Sequence, residues 1–122
     1  MNLLLGFIIT LVIIFIVPVI IYGLFAALFG LKEPDKKLKF MLGVLVQKVG
    51  TALGFVTLFY LGRDYFIDNW LIYSIVWVVM FAITEIGQSI MSSYSRKEVV
   101  AGILSELIYF PLAAVILVSL LK

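Results

Sequence analysis

Residues 70–94 read WLIYSIVWVVMFAITEIGQSIMSSY, and Glu85 is the one charged side chain among them. A run this long and apolar is enough to cross the roughly 30 Å of hydrocarbon in a bilayer, which needs about 20 helical residues. Its polar step is Ala82-Ile83-Thr84-Glu85-Ile86-Gly87-Gln88-Ser89. A carboxylate that far inside such a run does not reach water easily. An acidic residue at the centre of a membrane helix costs about 2.5–3.5 kcal/mol on insertion scales, so it usually has a partner or a task.

Three further runs match this one in character: residues 3–31, 40–62 and 99–121. Backbone groups in lipid must be satisfied within their own segment, so each run is read as an α-helix. A membrane barrel would need segments of about ten residues that alternate in polarity. Leu11-Val12-Ile13-Ile14-Phe15-Ile16-Val17 shows no such alternation. The expected fold is an all-α membrane protein: four transmembrane helices in an antiparallel bundle with both termini on the same side. Residues 1–122 form a single integral membrane domain on this reading.

Composition agrees. The chain is 65% hydrophobic and 13% charged, whereas soluble domains run at about 45–50% apolar and about 25% charged. Mean hydropathy is +1.26. A net charge of +2 is too small to point to nucleic acid. With no cysteine and no histidine, thiolate chemistry, disulfides, the commonest general base and most transition-metal sites are excluded. Asp64 and Asp68 share the loop 63–69, but two carboxylates in a short turn are a poor basis for a cation site. No metal and no cofactor are expected, and the chain is not read as an enzyme. Met1-Asn2 offers no positive n-region and the first run is too long for a signal peptide, so it is read as a retained span.

Loop charge sets the expected orientation. The stretch 32–39 carries four lysines and 95–98 carries Arg96 and Lys97, against Arg63 and Lys122 on the other side. The positive-inside rule then puts loops 32–39 and 95–98 in the cytoplasm and both termini outside, most simply in the cell membrane. Tyr60, Tyr65, Phe66 and Trp70 would form an aromatic belt at the outer boundary. Pro18 predicts a kink in the first helix. Gly23, Ala27 and the pair Gly50 and Gly54 are small residues at spacings that let helices approach closely, and are read as helix-packing positions.

The most specific feature is a shared depth. Lys48, Glu85 and Glu106 lie eight, nine and seven residues from the cytoplasmic ends of the second, third and fourth runs. At about 1.5 Å per residue, all three sit roughly 10–14 Å below that face. Gln88 and Ser92 follow Glu85 at i+3 and i+7. Gly102, Glu106, Tyr109 and Ala113 share a face of the fourth run, and Gln47 adjoins Lys48. One lysine neutralises one glutamate and leaves a second carboxyl for proton or cation handling. The candidate coupling site is therefore Glu85, Glu106, Lys48, Gln88 and Gln47. Its structural counterpart is a satisfied network that fixes helix register.

Two functions fit. The first is a small ion- or proton-coupled transport protein in the lipid bilayer, acting as a homo-oligomer because four helices enclose little pathway. The alternative is a non-catalytic accessory subunit that packs against other membrane subunits of a larger complex.

Overall fold

The computed structural model describes residues 3–30, 37–91 and 96–121. Ser92, the lysine-rich stretch 32–36 and residues 92–95 lie outside these. Five helices follow one another: α1 (Leu3–Phe29), α2 (Lys37–Leu61), α3 (Arg63–Phe66), α4 (Trp70–Met91) and α5 (Arg96–Leu121). Among the described residues there is no strand. All but α3 are long and apolar enough to cross a membrane.

The ends of these helices have local causes. α1 stops where Gly30 takes φ +68°, a left-handed cap that glycine adopts without steric cost. The exposed Phe29 carbonyl then accepts a hydrogen bond from Lys97 Nζ at 2.7 Å. Seven residues earlier, the Tyr22 hydroxyl donates to the Glu98 carbonyl at 3.3 Å. The end of α1 and the start of α5 are thus tied together. α1 continues through Pro18 as one helix, with the proline ring buried.

The loop 63–69 contains a short helix that its sequence does not announce. Tyr65 and Phe66 N–H groups both donate to the Gly62 carbonyl, and the Phe66 ring folds back over Gly62. A Cβ at Gly62 would come 2.5 Å from that ring, so any larger residue there would push the ring aside. Arg63 closes the end of α2 by donating to the Tyr60 carbonyl at 2.9 Å and lying over the Tyr60 ring. Phe66, read above as part of a boundary belt, stacks on Tyr73 at 4.5 Å.

α5 is the centre of the molecule and packs against both α1 and α4. Ala101, Gly102, Ser105, Ala113 and Ala114 are buried along it, and such small side chains allow neighbouring backbones to come close. On α1 the buried positions are Gly6, Thr10, Ile14 and Pro18, a row spaced by four that forms one packing ridge. α2 lies against α1 and meets α4 chiefly through rings. Phe55 stacks on Tyr73 at 4.9 Å and on Phe110 at 5.3 Å, and the Tyr73 hydroxyl donates to the Phe55 carbonyl. Hydroxyls elsewhere bond to carbonyls of their own helix: Thr51 to Gln47, Thr84 to Met80 and Ser105 to Ala101. A hydroxyl bonded in this way needs no partner outside its own helix.

The four small residues read as packing positions divide. Gly54 faces the Trp77 ring, to which a Cβ would stand at 3.4 Å. Gly23 and Gly50 have nothing within 4 Å of such a Cβ, and Ala27 is exposed. Within one chain, then, only Gly54 serves the close approach expected of all four. The other three face outward because α5, with its own small residues, occupies the centre.

Candidate functional site

A cavity of about 310 Å³ lies between α2 and α4, with α5 as its floor. Lys48, Glu85, Glu106, Gln88 and Gln47 all line it. The residues picked out by counting along separate helices thus share one space. Val46, Gly50, Thr51, Phe81, Thr84 and Tyr109 complete the lining.

Each element contributes by its rotation. α5 turns Glu106 to the floor, 2% exposed, and sets Tyr109 beside it one turn on. α4 brings Glu85 down onto Gly102 of α5. A Cβ at Gly102 would fall 2.7 and 2.8 Å from the two Glu85 oxygens, inside contact distance. The missing side chain is what makes room for the carboxyl. α2 supplies Lys48, half-buried, whose ammonium stands 5.0 Å from the centre of the Tyr109 ring. That is cation–π geometry.

The carboxyls of Glu85 and Glu106 meet, and Lys48 lies within electrostatic reach of both. Among the described residues, Glu85 Oε2 and Glu106 Oε1 have no hydrogen-bond donor. A carboxylate can only accept a hydrogen bond. Two meeting carboxyls therefore bond to each other only if one of them carries a proton. Two carboxyls thus stand together in the cavity. A lysine stands close enough to balance the remaining charge, but it rests on a ring instead of on either oxygen.

Sequence reasoning reaches the three ionisable residues and misses two that shape the site. Tyr109 and Gly102 both lie on the Glu106 face of the last run, so their position is legible. Their roles, a ring for Lys48 and a gap for Glu85, depend on which way α2 and α4 turn. Phe81, one turn before Glu85, carries a similar positional signal and forms part of the wall. Gln47 and Gln88 stand at the exposed rim. Among the described residues, no group of three or more acidic, histidine or cysteine side chains could hold a metal ion.

Comparison with protein-family models, with characterised proteins and with solved structures finds no match to this chain.

Proposed function

We propose that this protein is a small multi-pass transporter that moves protons, or a cation coupled to protons, through the Lys48/Glu85/Glu106 layer. The observation that carries the reading is the meeting of two carboxyls, one buried and one half-buried, in a cavity with one ammonium nearby. Intramembrane ionisable residues of this kind mark ion and proton pathways. The outward-facing Gly23, Ala27 and Gly50 support an oligomer, since small residues on a lipid-facing surface suit helix–helix contact. On this reading the helices run antiparallel in the cell membrane, with the lysine-rich loops cytoplasmic and both termini outside.

The test is proton flux into liposomes holding the purified protein, under an imposed pH gradient. Wild type should move protons well above empty liposomes. Glu85→Gln and Glu106→Gln should each lower the flux at least about tenfold, the loss expected when a proton-transfer group is replaced by an amide. Amides keep most hydrogen bonds, so both variants should retain the helical signal and the oligomeric state of wild type. Wild-type flux from both folded variants would refute transport through this layer. An accessory subunit using the same groups to fix helix register would then be the better reading.

A further inference from the structure

The cavity has more room than a proton needs. At about 30 Å³ per water, 310 Å³ is the share of about ten waters, which is the space of a small organic molecule. Its walls are also not uniform. Gln47 and Thr51 on one side and Thr84 and Gln88 on the other offer polar atoms, while Phe81 and Tyr109 offer ring surface. Lys48 already shows that a cation can stand over one of those rings.

The charges define what can fill the space. Lys48 comes from α2, Glu85 from α4, and Glu106 and Tyr109 from α5, with Tyr22 of α1 in electrostatic reach of Tyr109. With one proton between the carboxyls, the layer is neutral. Without it, the layer carries one net negative charge. A monovalent cation restores neutrality only by taking the proton's place. Glu106 adds an independent sign of a ligand, since it is 2% exposed, lines the cavity and leaves Oε1 unpartnered.

The route in is also visible. Gln47, Gly50, Thr84 and Gln88 form an exposed rim between α2 and α4, on a flank that faces lipid if the helices span. Farther along the same seam lies a second cleft of about 470 Å³, walled by Leu58, Ile72, Val76 and Met80. A charged seat and an apolar cleft on one seam suit a molecule with a charged end and an apolar body.

We infer that the α2–α4 cleft binds a monovalent organic ammonium with an apolar tail, entering sideways from the bilayer and displacing the proton shared by Glu85 and Glu106. This rests on reading the two carboxyls as the proton site. The exchange balances: one cation enters, one carboxyl O–H bond breaks, and one proton leaves to water. The ammonium then faces two carboxylates, with Lys48 held off on Tyr109.

The experiment uses the full chain in detergent, with hexyltrimethylammonium as the probe. This cation has no acidic proton, so any proton released comes from the protein. Calorimetry follows binding and an indicator dye follows protons in weak buffer. Saturable binding is expected, with about one proton released per cation bound. Exchange against a single proton makes the affinity rise about tenfold per pH unit while the carboxyl pair still holds its proton. Glu106→Gln should weaken binding at least tenfold and abolish the release. Glu85→Gln should do the same, and decides the matter if the first variant does not fold. Lys48→Met removes a like charge and should tighten binding several-fold. Tetramethylammonium, with no tail, and hexanol, with no charge, should each bind at least tenfold more weakly.

No saturable binding above that of the glutamine variants, binding without proton release, or equal binding of hexanol would each overturn the inference. If liposome proton flux still depends on both glutamates while the probe does not bind, this inference fails and the proton-transport reading stands. If the flux is indifferent to both glutamates, that reading fails by itself.

Discussion

The seam between α2 and α4 is handled in opposite ways at its two ends. The backbones of these helices are not close neighbours, since α2 lies against α1 and α4 lies against α5. Towards Arg63 rings fill the buried part of the gap, and what stays open beside them is the exposed apolar cleft. Phe55, Phe59 and Phe110 are fully buried, and Phe55 contacts Tyr73, Trp77 and Phe110. Towards Lys97 the gap stays open, and two carboxyls, an ammonium and several amides and hydroxyls look into it. One end spends its side chains on packing and the other on a polar space. The Trp77 ring against Gly54 lies between them. The contrast implies that stability resides at the ring end, which frees the carboxyl end to keep groups that contribute little to folding.

The sharpest way to break that contrast is to remove a ring. Phe55→Ala deletes a side chain in contact with three other rings and leaves a void that its neighbours fill only in part. The expected cost is about 3–5 kcal/mol, the usual range for a buried phenylalanine. Reversible unfolding in mixed micelles would measure it. A cost below about 1 kcal/mol would mean that the ring cluster is not the stabilising half.

The two ends were unequally legible in the sequence. Four spans follow from run length and charge, because a bilayer demands about 20 apolar residues whatever they pack against. The depth of Lys48, Glu85 and Glu106 follows from a fixed helical rise, and the three residues do converge on one cavity. The ring cluster is harder to read. In runs this rich in apolar residues, hydrophobic periodicity does not separate Phe55 from its outward-facing neighbours. Rotation of the helices decides instead, and rotation is set by small residues on α5. Gly30 shows the same limit. It follows the small residues Gly23 and Ala27 of the first run at similar spacing, yet it ends α1 by adopting positive φ. α3 is too short to leave any periodic trace, and depends on Phe66 finding Gly62.

A middle-sized effect is expected where the open end is tightest. Gly102→Ala puts a Cβ within 3 Å of the Glu85 carboxyl, so Glu85 has to move or the α4–α5 contact has to widen. Overpacking of this kind costs about 1–3 kcal/mol, and the low end applies because the obstacle is the tip of a flexible side chain. The same unfolding assay with Glu85→Ala in the background isolates the cause. If Glu85 is what the methyl meets, the cost should largely vanish in the double variant, a coupling between neighbours. An unchanged cost would place the clash elsewhere on α4.

The smallest effect sharpens the comparison most finely, because it uses one chemical change at two neighbouring sites. Gly50 and Gly54 lie one turn apart on α2, the first at the rim of the open cleft and the second against Trp77. An added methyl at Gly50 meets nothing within 4 Å. Alanine is also the better helix former, by up to about 1 kcal/mol in water. Gly50→Ala should therefore leave the isolated chain unchanged or raise its stability by about 0.5 kcal/mol. At Gly54 the methyl meets Trp77 at 3.4 Å, an ordinary contact, so the helix gain should be offset by a small shift of the ring. The net change there should stay within about 0.5 kcal/mol of zero. Measuring both at low and high protein-to-detergent ratio adds a second reading. If copies associate through the rim of the cleft, Gly50→Ala should reduce association while Gly54→Ala does not, since only the first glycine faces outward. A loss of monomer stability from Gly50→Ala would show that α2 lies closer to α4 at this end than a 310 Å³ cavity allows, and the contrast between the two ends would fail with it.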